Sequence, residues 1–157
     1  MKTPKLFAFS MLIAILCAIP LHAEEQEKKI KRTDLPSAVE KTVAAQSQGA
    51  TIKGFNQVTE DGKTNYEAEM MVNGHSKDVL IDPTGAIVEI EEEVELMALP
   101  AEVKNGLQAK VGAGKIGKVE SLTKHGKLVA YEAKVVVNGK RSEVQVGPDG
   151  KPLDHEE

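Results

Sequence analysis

From residue 35 onward the chain alternates between two hydrophobic periods. Leu35, Val39 and Val43 recur at i, i+4 and i+8, and Leu99, Val103, Leu107 and Val111 repeat that spacing. Each set draws one apolar stripe along a helix. Pro36 and Pro100 suit a first helical turn, where the missing N–H has no partner to lose. Asp34 is placed to cap the first helix, whereas Ala98 at the matching position cannot, so the second start is expected to be the weaker. Gly49 and Gly112 or Gly114 end the helices.

After each helix the period falls to two. Tyr66, Ala68, Met70 and Val72 share one face, as do Val129, Tyr131, Ala133, Val135 and Val137. Asn73-Gly74 and Asn138-Gly139 follow, and a type I′ hairpin needs positive φ at both positions of that pair. Beyond the turns, Val79 and Ile81 match Val144 and Val146 on the same face. Asp61-Gly62 and His125-Gly126 mark an earlier turn, and Asp82-Pro83-Thr84-Gly85 and Gly147-Pro148-Asp149-Gly150 a later one.

The chain also matches itself. An offset of 64 aligns Leu35-Pro36 with Leu99-Pro100, Val39 with Val103, Ala45 with Ala109, Ile52 with Ile116, Thr59 with Thr123 and Gly62-Lys63 with Gly126-Lys127. One inserted residue makes the offset 65. Tyr66-Glu67-Ala68, Val72-Asn73-Gly74, Val79, Pro83 and Gly85 then match Tyr131-Glu132-Ala133, Val137-Asn138-Gly139, Val144, Pro148 and Gly150. Order and spacing are kept throughout, the mark of a repeated supersecondary unit. The expected fold is therefore α+β: two tandem repeats, 35–95 and 96–157, each a helix packed on a four-stranded antiparallel meander sheet. The sheet face away from the helix is expected to be open to solvent.

The first residues change where such a chain would work. Lys2 and Lys5 precede an apolar run from Leu6 to Ile19, Pro20 ends it, and Ala23 supplies a small residue for cleavage. Residues 1–23 are read as a signal peptide, and 24–34 as a polar linker. Removing 23 of 157 residues leaves 134. Losing Lys2 and Lys5 from 20 basic residues leaves 18 against 24 acidic ones, a formal charge of −6. Cys17 departs with the signal, so no disulfide, thiol nucleophile or cysteine metal site is expected. The charge disfavours nucleic acid and anionic membranes as partners, and nothing past the signal is expected to enter a membrane. A secreted or periplasmic location follows.

Leu-Pro-x-x-Val opening a helix, then Tyr-Glu-Ala, an Asn-Gly hairpin, a Val-rich strand and Pro-x-Gly, resembles the PepSY-like domains of exported bacterial proteins. The tandem plan is similar to the β-lactamase-inhibitor-like group. The resemblance covers nearly all of the chain beyond residue 34. It implies an exported, non-enzymatic module that binds another protein, a peptidase or other hydrolase among the candidates, and inhibits or modulates it. The chain departs from the β-lactamase inhibitor itself, which has disulfides and an aromatic-rich concave surface. Beyond residue 23 the aromatic residues are Phe55, Tyr66 and Tyr131 and the arginines are Arg32 and Arg141, although binding hot spots favour Trp, Tyr and Arg. The resemblance is accordingly not read as β-lactamase inhibition.

The residues that could carry chemistry point the same way. Gly112-Ala113-Gly114-Lys115-Ile116-Gly117 fits G-x-G-x-x-G, but it follows a helix and precedes a strand, the reverse of a dinucleotide site. Glu89 to Glu95 reads as a solvated charge run between the repeats, with cation binding as the alternative. His75, His125 and His155 lie in or beside turns and in the tail, without zinc spacing. No nucleophile elbow occurs. No enzyme, cofactor or metal is expected.

The Asn-Gly registers set Glu69 opposite Asp78 and Lys134 opposite Glu143, on faces that also carry Met71, Leu80 and Val136. Exposed apolar residues beside charges suit a protein interface. The candidate partner-binding residues are Glu67, Glu69, Met71, Asp78, Leu80, Glu132, Lys134, Val136, Arg141 and Glu143. A carboxylate pair such as Glu69 and Asp78 can do acid–base work only in a cleft, and an exposed hairpin face is expected to offer none. The function expected is an unidentified protein's binding module; the alternative is an acidic periplasmic cation-binding or sensing protein. Glu67 and Glu132 are kept in both copies and face outward, for no reason visible in the sequence.

Overall fold

The computed structural model describes residues 26–60, 62–155 and 157. The expected signal peptide, Cys17, the start of the linker and Asp61 of the first turn lie outside these residues. The two apolar stripes form α1 (Ser37–Gln46) and α2 (Ala101–Val111). The alternating segments form strands β1 (Gln26–Lys29), β2 (Thr51–Glu60), β3 (Lys63–Val72), β4 (His75–Ile81), β5 (Ile87–Val94), β6 (Lys115–Lys124), β7 (Lys127–Val137) and β8 (Lys140–Val146).

Both helices begin alike, which corrects the expected asymmetry. Pro36 and Pro100 occupy the N-cap positions and neither side chain caps. Asp34 does not reach α1. Its carboxylate accepts the Lys31 N–H at 3.0 Å inside a short 3₁₀ turn.

All eight strands belong to one antiparallel sheet in chain order, β1 to β8. The chain is thus mostly β, and the expectation of two tandem helix-plus-four-strand repeats with separate sheets is overturned. Three features account for the difference. Gln26–Lys29 is not linker but a strand, added to β2 from Gln26↔Thr59 to Lys29↔Asn56. Among the described residues three strands follow α2, not four. The segment after Gly150 has no alternating pattern, and Pro152 lacks an N–H for a ladder. Finally β5 pairs with β6, from Glu89↔Lys124 to Val94↔Val119. Separate sheets would leave both edges with unpaired N–H and C=O groups, and this pairing removes them.

Both helices pack on the same side. Val39 and Val43 of α1 cover Phe55, Ala68, Met70, Val79 and Ile81. Val103, Leu107 and Val111 of α2 cover Val119, Ala133, Val135 and Val146. Asn73 and Asn138 adopt φ of 52° and 51°, and the hairpins close at Val72↔His75 and Val137↔Lys140. The one-residue gap in the internal match is a β-bulge: Leu122 pairs with Ala130 and Thr123 with Leu128, so Val129 is skipped.

Candidate functional site

Side chains alternate across a strand, so everything that does not face the helices lines the opposite face. The registers place all ten candidate partner-binding residues there. Glu67, Glu69 and Met71 come from β3, Asp78 and Leu80 from β4, Glu132, Lys134 and Val136 from β7, and Arg141 and Glu143 from β8. Glu69 stands opposite Asp78 and Lys134 opposite Glu143, with Lys134 Nζ 3.8 Å from the Glu143 carboxylate.

This face is not the solvated surface expected from the sequence. Asn56, Val58, Glu120, Leu122, Ala130 and Gln145 are all buried on it, Glu120 to 2 % exposure. Among the described residues no helix covers them; neighbouring side chains enclose them, and Glu157 adds a contact to Gln145. Val58, Leu80, Glu67, Asp78, Glu89 and Glu91 line a cavity of about 280 Å³, rimmed by Lys124 and Glu157. A second hollow, of about 510 Å³, is lined by Lys134, Val136, Arg141 and Glu143 near the far hairpin, where Val136 is 41 % exposed. Asp78 therefore stands in a cleft and not on an exposed hairpin.

The Glu89–Glu95 run is only partly the solvated junction expected: Glu92 and Glu95 are exposed, while Glu89 and Glu91 line the cavity. Glu89, Glu91 and Glu93 face this side from β5, in the middle of the sheet. Glu89 contacts Lys124 at 3.6 Å, and Glu93 accepts the Ser76 N–H at 3.0 Å. Asp78, Glu91 and Glu120 bring one carboxylate oxygen each within 4.8 Å of the others, and Glu27, Glu67 and Glu69 form a similar group.

Burial sets the charge state of these acids. Glu91 is pushed up to about 8, first by desolvation, then by the Glu120 charge and a shared hydrogen bond with Glu89. Asp78 is raised, chiefly by desolvation, against the pull of Lys118. Glu67 and Glu132 are raised for the same first reason. Desolvation alone would lower Lys134, but the carboxylates of Glu120, Glu143 and Glu132 outweigh it and raise it.

Glu67 and Glu132 now have a physical account. Asn56 donates its amide to Glu67 at 2.7 Å and to Glu69 at 2.8 Å. Gln145 donates to Glu132 at 2.9 Å. Each conserved carboxylate is thus held by a buried amide, though from different strands. At the offset of 64, Asn56 corresponds to Glu120, Gly54 to Lys118 and Glu60 to Lys124. Where the second half places a carboxylate in the buried position, it adds Lys118 at 2.6 Å and Lys134 at 3.7 Å to neutralise it. Asn56, Glu120, Lys118 and Gln145 are not among the candidates read from the sequence, and Glu91 is among them only as part of the Glu89–Glu95 run. The local pattern marks β-strands but not which outward residues the folded sheet buries.

No family model matches the sequence, and no curated protein matches it. Solved structures do. A protein described as periplasmic from Bacteroides eggerthii superposes with a TM-score of 0.62 at 20% identity, over 76% of this chain and 86% of that one. A DUF2874 family protein from Bacteroides ovatus gives 0.61 at 21%, over 76% and 85%. A BLIP-like protein from Bacteroides fragilis gives 0.58 at 19%, over 78% and 85%. The chain shares their fold. The PepSY-like resemblance rests on its sequence motifs alone. Among the described residues no helix is long and apolar enough to cross a membrane.

Proposed function

We propose that the chain is an exported, periplasmic binding module that grips another protein with the helix-free face of its sheet. One observation carries the reading: this face holds a buried polar and apolar floor with two hollows, yet no helix or strand among the described residues packs over it. An apolar floor framed by fixed charges is the layout of a protein interface, with an anchoring centre and a polar rim. The names of fold relatives as periplasmic and BLIP-like support it. Glu67 and Glu132 are held by amides and Glu120 by lysines, which fixes them as charged groups of a binding face. Inhibition or modulation of a peptidase or other hydrolase is the form of binding the tandem resemblance suggests.

Capture from periplasmic extract tests this, with wild type compared against Leu80→Asp and Val136→Asp. A partner retained by wild type and lost by both variants, each still folded by circular dichroism, is the expected result. Capture that ignores both variants overturns the assignment of the face.

A second reading, cation binding, is favoured by the oxygen spacing of Asp78, Glu91 and Glu120. Against it, Lys118 and Lys134 already neutralise Glu120. A rise in melting temperature with millimolar Ca²⁺ at pH 8 would favour it, and an unchanged melt would remove it.

A further inference from the structure

Residue 157 lies far along the chain from the acidic cavity's floor, yet it returns to the rim. Gln145 is 6 % exposed on β8 and faces the same side as the cavity. Its Nε2 donates to Glu132 at 2.9 Å, which decides which end of the amide is nitrogen and leaves Oε1 as a free acceptor. That Oε1 accepts the backbone N–H of Glu157 at 2.8 Å, and Nε2 also approaches the Glu157 carbonyl at 3.5 Å. One primary amide thus faces both the N–H and the C=O of one residue, the pairing by which a side-chain amide stands in for a neighbouring β-strand. The Glu157 carboxylate points to Lys124 Nζ at 3.7 Å.

We propose that Gln145 and Lys124 form a subsite for one residue of an extended acidic peptide, occupied in this chain by its own Glu157 as a resident strap. Gln145 reads the backbone and Lys124 reads the carboxylate. The subsite belongs to the second half only, because the position matching Gln145 in the first half is Leu80, which has no amide to offer. Its consequence rests on the reading of the helix-free face as the binding face. Glu157 rims the cavity that Asp78 and Glu91 line, so a partner entering that cavity must displace the strap.

The test needs no partner, so its failure is separable from failure of that reading. The probe is the peptide Leu-Asp-His-Glu-Glu, amidated at its end so that only backbone and side-chain contacts count. It is titrated into the chain lacking residues 154–157, and amide shifts are followed by NMR. Shifts centred on Gln145, Glu132 and Lys124 are expected. Binding should be at least threefold weaker to the full chain, whose tethered strap competes at an effective concentration in the millimolar range. Gln145→Leu in the shortened chain should abolish the shifts, and that substitution suits the strand because Leu80 occupies the equivalent place. No shifts at these residues, equal binding to full and shortened chains, or unchanged binding to the folded Gln145→Leu chain would each overturn the proposal. A peptide with both glutamates replaced by glutamine that binds equally would remove the role of Lys124 and refute the acidic specificity.

Discussion

At the scale of the residue, Glu91 shows what burial does to a strand of acids. Its ordinary value is 4.5 and the fold holds it near 8. Between those values the folded chain keeps a proton that the unfolded chain releases. Stability therefore falls as pH rises from about 4.5 through about 8, and is flat beyond. Asp78, Glu67 and Glu132 shift the same way and add to the trend. Glu91→Gln should leave the melting temperature nearly unchanged at pH 5 and raise it at pH 9. Solvent screening of a partly buried group limits the gain to on the order of 1 kcal/mol, a few degrees. Melting curves of both proteins at the two pH values decide it; a loss at pH 9 with none at pH 5 would mean that the charge of Glu91 stabilises the fold.

The elements show how one position is solved twice. The turn after β4 and the turn after β8 each dock on a helix. In the first, the Thr42 hydroxyl of α1 donates to the Gly85 carbonyl at 2.7 Å. At the matching place α2 has Gly106, and a Cβ there would overlap the Gly150 carbonyl oxygen. A helix interior disfavours glycine, so Gly106→Ala would gain about 1 kcal/mol from propensity alone. The overlap works against backbone on both sides, and overpacking of this kind costs roughly 1–3 kcal/mol. The second effect should win. Chemical denaturation is expected to show Gly106→Ala net destabilised, and a stabilised variant would mean that the turn moves aside without cost. The same elements show what was legible in the sequence. Period-two alternation and the Asn-Gly pairs located strands and hairpins, because those signals are local. The registers that follow from them placed Glu67, Asp78, Lys134 and Glu143 on one face. That Glu91 and Glu120 are buried there was not legible, since a run of glutamates carries no local mark of burial. Gln145 was missed for a related reason: its partners, Glu132 and Glu157, lie 13 and 12 residues away.

For the whole molecule the joint between β5 and β6 matters most, and it was the least visible in the sequence. Its six register pairs, Glu89↔Lys124 to Val94↔Val119, connect halves whose apolar clusters are otherwise separate, one under each helix. Internal similarity suggests two independent units. The joint argues otherwise. Lys124 and Ser121 of β6 contact Glu89 and Glu92 of β5, while Lys118 moderates Asp78. Cutting after residue 95 would leave β5 as an exposed edge, with its acids stripped of those lysines. A fragment of about 70 residues buries only around 60% of its unfolded surface, so its margin is small at the outset. Residues 24–95 expressed alone are therefore expected to lose the cooperative thermal transition that residues 24–157 show by circular dichroism. The loss should be partly relieved at pH 5, where a protonated Glu91 no longer repels Glu89. A fragment that melts within a few degrees of the longer chain at pH 8 would show instead that each helix and its own strands suffice, and that the shared sheet serves binding and not stability.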